Sequence, residues 1–301
     1  MDALDRVTAY KDTSYFLMLA AAERGHEVFY LEARDLLLRH DQVHATLSRV
    51  AVHADVDKPF TPLERGVRNL GDMDVVWIRT DPPVDRRYLY TTLLLDFLPP
   101  STRVINRPAA IRDWNEKLAA LSYPSLTPRT LVSCKRTEIE TFVAGHDRVL
   151  LKPIDGHGGV GIVFVDRDDA QVAARIDEIT CQGSHWVLVQ EYLPAARDGD
   201  KRILLLDGEP LGAVLRLHAD DQELNNLDAG ATALQSELTE RDREICAALR
   251  PGLIERGIVF AGIDIIGGML MEINVTSPTV LQEMSRFTGE ALHHRIVASL
   301  E

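Results

Sequence analysis

The chain has 301 residues, and its 46 acidic side chains outnumber its 33 basic ones, which gives a formal net charge of −13 at pH 7. This length suits one large unit or two to three small domains. The acidic balance argues against general binding to nucleic acid or to an anionic membrane, although a local basic cleft for an anionic small substrate remains compatible with it.

Membrane insertion and secretion are not expected from the sequence. The longest apolar runs have the length of strands, so no membrane span is predicted. The first twelve residues lack the charged, apolar and small-residue pattern of a signal peptide. Cys134, Cys181 and Cys246 are too scattered for a metal motif or a disulfide framework, which is typical of a reducing cytosol. We therefore expect a cytoplasmic protein.

The first third of the chain predicts an open α/β sheet. Residues 13–24 have helical apolar spacing, and strands are predicted over residues 26–32, 74–79 and 103–106. Ligands bind beyond the carboxyl ends of strands in such sheets, so Arg79 is well placed for a substrate carboxylate. Three polar residues before the first helix form either a plain helix cap or an anion-binding N-terminus. They are Asp12, Thr13 and Ser14.

A glycine-rich turn lies between predicted strands 148–153 and 161–165. Its glycines allow backbone N–H groups to approach phosphate oxygens, but it matches neither the phosphate loop that ends in Gly-Lys-Ser/Thr nor the dinucleotide fingerprint. It is either a flap over a triphosphate, with Lys152 on the phosphates, or a plain hairpin turn. Lys117, on a predicted helix, adds a second phosphate charge or belongs to an ordinary exposed ion pair. The glycines concerned are Gly156, Gly158 and Gly159.

A helix near residues 168–181 and a strand over residues 186–192 follow. The end of that strand, Gln190 to Pro194, is either an adenine-binding edge or an ordinary strand end. Asp200 begins a predicted hairpin whose paired strands, 201–207 and 211–217, carry Arg202 and Arg216. Two guanidinium groups at one cleft stabilise a transferring phosphoryl group, whereas the alternative is a surface of cross-strand ion pairs.

Residues 218–237 are polar, acidic and without period, so they are predicted to form a mobile loop. Helices are predicted near residues 239–256 and 279–299. Between them, two apolar strands meet at Gly267-Gly268 and carry Asp264, Glu272 and Asn274. Ionised carboxylates are rarely buried without a partner or a metal. Because Glu272 and Asn274 point the same way and Asp264 lies across the hairpin, these hard oxygen ligands predict a Mg²⁺ site.

These motifs occur in one order, and that order resembles the ATP-grasp superfamily and, within it, the bacterial glutathione synthetase family. The similar segments extend from residue 11 to residue 279, and the most specific are DGDKR and GIDIIGGMLMEINVTSPT. The resemblance implies an α/β protein with an α+β flap, namely an ATP-grasp fold preceded by an open Rossmann-like α/β domain. The expected domains are a substrate domain over residues 1–110, a small ATP-grasp domain over 111–190, and a C-terminal domain over 191–301 with the lid at 218–237.

The resemblance also implies roles for individual residues. Asp264, Glu272 and Asn274 would hold Mg²⁺, with Mn²⁺ as the alternative ion, and Arg202 and Arg216 would contact the phosphoryl group and the acyl phosphate. The donor peptide would face Asp12, Thr13, Ser14 and Arg79, and the acceptor amine would lie beside Asn274, Thr276, Ser277 and Pro278. ATP would be bound by Lys117, Lys152, Gly156, Gly158, Gly159, Gln190, Glu191, Tyr192, Leu193 and Asp200.

The implied reaction joins γ-glutamylcysteine to glycine through an acyl phosphate, with release of ADP and phosphate. Its alternatives are a related ligase with another donor or amine, a non-catalytic ATP-binding homologue, and a structural α/β protein with a chance motif match. Small-molecule substrates are expected, with no nucleic acid and no membrane. A homo-oligomer, dimer or tetramer, follows from the resemblance alone.

Three departures from the family pattern stand out. Family members have a β-strand before the segment that matches Met1-Asp2, so either the start codon is assigned too late or the first domain is restructured. The lid carries Asp220, Asp221, Glu223 and Asp228 where the family has glycines, and Leu224 or a neighbour replaces an arginine. His157 occupies the flap at a position that is often apolar, and we expect it to face water.

Overall fold

In the computed structural model, residues 1, 3–218, 225 and 230–301 are described, and they form four β-sheets flanked by helices. Within this part of the chain, no helix is both long enough and apolar enough to cross a membrane. Helices and strands are both present along the chain, so the mixed α/β class expected from the sequence is confirmed.

The N-terminal region is built around one long strand, which forms an antiparallel sheet with three others. Along this strand, Val43, Ala45 and Leu47 are buried at alternate positions and pack against Leu70 and Tyr88. The elements are α1 (Thr13–Glu23), β1 (Val28–Tyr30), β2 (Leu36–Arg39), β3 (Gln42–Val52), β4 (Phe60–Asn69), β5 (Val75–Trp77), α2 (Arg86–Leu95), β6 (Arg103–Ile105) and α3 (Pro108–Asp113).

This region differs from the expected open parallel sheet. Parallel pairing is limited to β5 and β6, whereas β1 pairs antiparallel with β3. The strands β2, β3 and β4 were not predicted. The region is antiparallel because β2 and β3 need only a tight turn to pair, whereas a further parallel strand needs a crossover connection.

The middle region is a four-stranded antiparallel sheet in the order β7-β10-β8-β9. Two helices pack on it through Ile139 and Ile176, which meet Val149, Leu151 and Val189 in one fully buried cluster. The elements are β7 (Thr130–Ser133), α4 (Arg136–Ala144), β8 (Arg148–Pro153), β9 (Val163–Asp166), α5 (Val172–Ile179) and β10 (Val187–Glu191). The predicted strand over residues 148–153 is confirmed, and the predicted 161–165 and 186–192 strands are shifted or trimmed by one to two residues.

The C-terminal region is a five-stranded antiparallel sheet in the order β13-β12-β11-β14-β15. Neighbouring residues of β11 point to opposite faces, so Ile203 packs with Leu249 of α6, whereas Leu204 packs with Met284 of α7 and Leu17 of α1. The elements are β11 (Asp200–Leu206), β12 (Glu209–Leu217), β13 (Thr232–Ser236), α6 (Glu240–Arg256), β14 (Phe260–Ile266), β15 (Met269–Asn274), α7 (Leu281–Thr288) and α8 (Leu292–Ala298).

Three sequence expectations need correction here. Part of the predicted loop 218–237 is a strand, because β13 pairs with β12. Residues 219–224 and 226–229 of that loop, which include the four acidic lid residues, lie outside the described residues. The predicted helix 279–299 is two helices, since Gly289 adopts φ +72° at the end of α7. Lys117 lies in a turn after α3 rather than in a helix, because the helix ends at Asp113.

Candidate functional site

A cleft of about 260 Å³ opens between the glycine-rich turn of the middle region and the C-terminal sheet. Most of the residues singled out in the sequence line it together. They are Lys117, Lys152, Gly156, Gly158, Gly159, Glu191, Tyr192, Leu193, Asp200, Arg202, Arg216, Asp264, Glu272, Asn274, Thr276, Ser277 and Pro278.

Four charged side chains form what we call the arginine–aspartate cluster: Arg202, Arg216 and Asp264, which are buried, and Asp200, which is partly buried. Strand register brings them together, because Arg202 lies opposite Asp264 of β14 and Asp200 lies opposite Arg216 of β12. Arg202 donates to both oxygens of Asp264, with Nη2 to Oδ2 at 2.9 Å. Arg216 Nη2 lies 3.0 Å from Asp264 Oδ2 and 2.6 Å from Asp200 Oδ2. The cluster is thus a connected network of charge-assisted hydrogen bonds.

The two carboxyl groups of this cluster are not equivalent. Burial raises the pKa of Asp200 to about 7, because Arg216 and Arg202 only partly offset the lost hydration and the neighbouring Asp264 repels a second negative charge. Burial also disfavours charge on Asp264, but Arg202 and Arg216 together hold its pKa below the usual range. Oδ1 of Asp200 is buried and makes no hydrogen bond within the described residues. The arginine–aspartate cluster therefore contains one carboxylate whose pKa is lowered and one whose pKa lies near neutral pH.

The predicted metal ligands converge at the β14–β15 hairpin. Asp264 and Glu272 are direct cross-strand neighbours, and Asn274 Nδ2 lies 3.5 Å from Asp264 Oδ2. Glu272 Oε1 faces Lys117 Nζ at 4.0 Å, which is a contact rather than a hydrogen bond. The side chain of Glu272 is 23% exposed, so its oxygens can be reached from the cleft. This set of hard oxygen donors fits a small divalent cation such as Mg²⁺.

Two lysines approach the same cleft from the nucleotide side. Lys152 is buried in β8, and its Nζ donates to Gln190 Oε1 at 2.9 Å; burial lowers its pKa. Lys117 donates to the carbonyl oxygen of Gly156 in the glycine-rich turn. Gln190 itself is 1% exposed and does not line the cleft, because its amide also donates to Thr130. Gln190 therefore holds Lys152 from behind, unlike the direct adenine contact that we expected.

The wall beside these lysines is apolar, and sequence reasoning missed it. Leu150, Ile162, Phe164 and Met271 line the cleft next to Tyr192. The rings of Phe164 and Tyr192 meet edge to face at 6.2 Å, and Arg148 lies over both. These apolar residues alternate along β8, β9 and β15 like ordinary core positions, so their pattern does not separate a cleft wall from a core.

Other residues near the glycine-rich turn and the end of β10 have the following places in the structure. Glu191 lines the cleft, but its Oε1 accepts from the backbone N–H of Arg129 at 2.9 Å. Gly158 and Gly159 have φ +63° and +79°, a left-handed conformation that favours glycine. His157 is exposed, as expected.

The predicted donor-binding residues lie together, but outside the cleft lining. Arg79 Nε donates to Ser14 Oγ at 3.0 Å, and its Nη2 donates to the carbonyl oxygen of Pro278 at 3.0 Å. Its Nη1 is buried without a hydrogen bond in the part of the chain that the structure describes, and burial lowers its pKa. Asp12 caps α1 by accepting from the Tyr15 N–H at 2.7 Å, and its expected contact with the donor peptide stays a prediction. Thr13 Oγ1 is also buried without a hydrogen bond there.

Glu116 is the main site residue that sequence reasoning left as part of an ordinary ion pair. It lines the cleft, and its Oε1 accepts from the backbone N–H groups of Val275 and Thr276 and from the Thr276 hydroxyl, at 2.8, 3.0 and 2.8 Å. Its place in Asn115-Glu116-Lys117-Leu118, one of the segments that resemble the family, was the available signal. The charge alone gave no indication of these partners.

Comparison with known proteins gives two family matches that together span nearly the whole chain. Residues 1–112 match the N-terminal domain of prokaryotic glutathione synthetase, and residues 116–289 match its ATP-grasp domain. A glutathione synthetase from Gloeobacter violaceus is 43% identical over 303 residues, covering 99% of this chain and 94% of that protein. A glutathione synthetase from Thermosynechococcus vestitus is 42% identical over 299 residues, covering 96% and 94%.

Solved structures support the same fold. A RimK domain protein ATP-grasp from Sphaerobacter thermophilus matches with a TM-score of 0.64 at 20% identity, covering 98% of this chain and 97% of that one. A D-alanine–D-alanine ligase from Bacillus anthracis matches with a TM-score of 0.51 at 17% identity, covering 70% and 73%. At these identities the likeness concerns the fold, and it confirms the ATP-grasp architecture expected from the motifs.

Proposed function

The chain belongs to the prokaryotic glutathione synthetase family, and we propose that the cleft described above is where it joins γ-glutamylcysteine to glycine at the expense of ATP. The protein is an ATP-dependent ligase that forms a C–N bond in glutathione synthesis. The observation that carries the assignment to this cleft is the convergence of the arginine–aspartate cluster with Glu272, Lys117 and Lys152. Two carboxylate ligands, two arginines and two lysines at one opening suit a triphosphate that transfers its terminal group.

ATP is proposed to lie between the middle and C-terminal sheets. The apolar wall of Leu150, Phe164 and Met271 suits the flat base, and Tyr192 and Leu193 extend that wall. Lys117 and Lys152 would then meet the phosphates, and the glycine-rich turn would cover them. Asp200 accepts a hydrogen bond from Arg216, so it is better placed to adjust that arginine than to hold a ribose.

A divalent cation is implied by the family, and Mg²⁺ is our specific proposal, with Mn²⁺ as the alternative. Asp264, Glu272 and Asn274 would hold it, and when bound it neutralises phosphate charge. Oδ2 of Asp264 already meets both Arg202 Nη2 and Arg216 Nη2, whereas Oδ1 accepts from Arg202 Nε and keeps a second lone pair for a cation. The arrangement therefore accommodates a cation without requiring the arginines to leave.

In the first step, a carboxylate oxygen of γ-glutamylcysteine attacks the terminal phosphorus of ATP, and the bond from that phosphorus to ADP breaks. The product is an acyl phosphate. Arg202 and Arg216 are held by Asp264 in a buried site, so their positive charges are already oriented toward a transferring phosphoryl group. Arg202 and Arg216 are only 6% and 7% exposed, so water screens their charges little and the electrostatic effect is stronger.

In the second step, the amine nitrogen of glycine attacks the acyl carbon, phosphate leaves, and the amine loses a proton. We place the amine beside Thr276 and Ser277, which are buried and line the cleft next to Asn274. The acyl phosphate is sensitive to water, so closure of the glycine-rich turn would favour amide formation over hydrolysis. The donor peptide would extend from this point toward Arg79, whose Nη1 lacks a partner among the described residues.

The assay that tests this assignment measures ADP, phosphate and product with γ-glutamylcysteine and a panel of amines that includes glycine, alanine, serine and β-alanine. We expect glutathione with glycine, identified by mass spectrometry, and no product when γ-glutamylcysteine is omitted. Product with another amine only would assign a related ligase. ATP binding without any product would assign a non-catalytic homologue.

Three broader features belong to the same proposal. A homo-oligomer is supported by β4, an edge strand on which Leu63 and Val67 are 56% and 58% exposed. A cytoplasmic location is supported by the cysteine pattern and by the reaction, which consumes ATP. Domain boundaries near residues 110 and 190 are supported by the separate apolar clusters of the N-terminal and middle regions.

A further inference from the structure

The segment after β15, residues 275–278, faces the cleft and is held from several directions; we call it the acceptor segment. Asn106 Nδ2 donates to the carbonyl oxygen of Val275 at 2.8 Å, and Arg79 Nη2 donates to the carbonyl oxygen of Pro278 at 3.0 Å. These two contacts fix carbonyl groups. The N–H groups of Val275 and Thr276 lie beyond the last residue of β15, so they need partners from elsewhere in the chain.

Glu116 supplies those partners. One oxygen, Oε1, accepts all three hydrogen bonds from Val275 N, Thr276 N and Thr276 Oγ1, at 2.8 to 3.0 Å. The carbonyl oxygen of Glu116 also accepts from the N–H of Ile273 at 2.9 Å. Glu116 therefore continues the hydrogen bonding of the sheet edge past the point where the strand ends, and it does so at the residues proposed to meet the amine.

The neighbours of Glu116 hold the opposite side of the cleft. Asn115 Nδ2 donates to the carbonyl oxygen of Ile154 at 3.0 Å, and Lys117 Nζ donates to the carbonyl oxygen of Gly156. Ile154 lies just before the glycine-rich turn, and Gly156 lies within it. Residues 115–117 thus connect the glycine-rich turn directly to the acceptor segment, because neighbouring residues of the chain make the two sets of contacts.

We propose that Glu116 is a positioning residue for the acceptor amine: its carboxylate holds Val275 and Thr276 in the place from which glycine is presented to the acyl phosphate. This inference rests on the proposed function. A carboxylate is suited to the task because a single oxygen with two lone pairs takes several donors, and hydrogen bonds to a charged acceptor are the stronger ones. Loss of the anchor should weaken amine binding and leave ATP binding intact, since the ATP contacts lie on other residues.

The test compares Glu116→Gln with the wild-type protein and with Glu140→Gln, a matched change in an exposed helical ion pair. Gln keeps the size of Glu but loses the charge that holds three donors. We expect the KM for glycine to rise by about tenfold or more in Glu116→Gln, since one hydrogen bond to a charged group is worth about that factor. The KM for ATP should stay within about twofold, the range of a neutral substitution.

Two further readouts separate positioning from a general structural role. The ratio of ADP to glutathione should exceed that of the wild-type enzyme, because a poorly placed amine lets water reach the acyl phosphate. Hydrogen exchange at the amides of Val275 and Thr276 should be faster in Glu116→Gln than in Glu140→Gln, whereas exchange in β8 should be unchanged. An unchanged glycine KM would overturn the proposal, and so would equal changes in the glycine and ATP KM values with a matching fall in Tm.

The exchange measurement also separates this inference from the proposed function. If the wild-type protein makes no product with any amine, the proposed function fails. Equal exchange at Val275 and Thr276 in the two variants would still overturn the anchoring role of Glu116, whatever the reaction is.

Discussion

The two sides of the cleft are held in opposite ways. On the phosphate side, the arginine–aspartate cluster consists of side chains that bind one another, so a ligand that enters must compete with or join existing ion pairs. On the acceptor side, the backbone of residues 275–278 is fixed by Glu116, Asn106 and Arg79 from outside the cleft. The charged side is therefore built to respond to a ligand, whereas the acceptor side is built to stay in place.

The strongest way to break the phosphate side is Arg216→Met. It removes a donor aimed at the phosphoryl group and leaves Asp200 and Asp264 with less compensation. We expect kcat to fall by about 10²–10³, and the free energy of unfolding to fall by about 3–5 kcal/mol because a buried charge loses its partner. Steady-state kinetics and urea unfolding measure the two effects.

A second change distinguishes the two effects of that substitution. In the double variant Arg216→Met with Asp200→Asn, the carboxylate that lost its partner is also removed. Its free energy of unfolding should therefore be higher than that of Arg216→Met alone, while kcat stays low. Recovery of activity together with stability would mean that Arg216 only supports the fold.

The metal end of the phosphate side is tested by Glu272→Gln. This change removes a charged oxygen ligand but keeps the size of the side chain. We expect the Mg²⁺ concentration for half-maximal activity to rise by about 10–100-fold, the range known for weakened metal sites. A Mg²⁺ titration of ADP formation measures it, with Glu140→Gln as the control. An unchanged Mg²⁺ requirement would remove Glu272 from the ligand set.

The pH dependence of stability tests the inequality of the two aspartates. The pKa of Asp200 is raised from 3.8 to about 7 in the folded protein, so the folded state holds a proton that the unfolded state releases at lower pH. Its contribution to stability is complete below pH 4 and is lost as the pH rises to 7. The free energy of unfolding should therefore fall between pH 4 and pH 7, by at most about 1.4 kcal/mol per pH unit from this group.

Asp200→Asn should remove that slope, and Asp198→Asn, an exposed neighbour, should leave it in place. Urea unfolding at several pH values gives the comparison. The slope from Asp264 has the opposite sign, because its pKa is lowered, and it operates at more acidic pH. An equal slope in wild type and Asp200→Asn would contradict the raised pKa.

The smallest expected effect comes from Gly262→Ala, at the point where the two sides meet. A Cβ at Gly262 would lie 3.0 Å from Pro278 Cβ and 3.1 Å from Arg202 Cδ. The added methyl group therefore presses on both sides at once, and we expect a loss of stability of about 1 kcal/mol with a several-fold fall in kcat/KM. Alanine at Gly66, where a Cβ meets nothing within 4 Å, is the control. A rise in the KM for glycine with no change in the KM for ATP would show that the added Cβ displaces the acceptor segment rather than Arg202.

Local sequence was sufficient for the two hairpins of the phosphate side, but not for the pairing of β11 with β14 that brings Arg202 to Asp264 across 62 residues. The hairpins carrying Arg202, Arg216, Asp264 and Glu272 were predicted with the correct partners, because strand alternation and a tight turn fix register over a few residues. The order of these motifs also gave the family. The same reasoning failed over residues 36–69, where three antiparallel strands were not recognised, although β2 and β3 are joined by a tight turn and β3 and β4 by the loop 53–59.

The sequence by itself determined the reaction class, the ion-pair hairpins and the glycine-rich turn, since each depends on residues close together in the chain. Only the tertiary structure decided that Gln190 lies behind Lys152, that Arg79 reaches Pro278 across 199 residues, and that Glu116 meets Thr276 across 160. Such contacts depend on how distant elements pack, and a local pattern of apolar and polar residues carries no record of that packing. Thr276, Ser277 and Pro278 were predicted, but the residues that hold them were missed, because those partners come from remote parts of the fold.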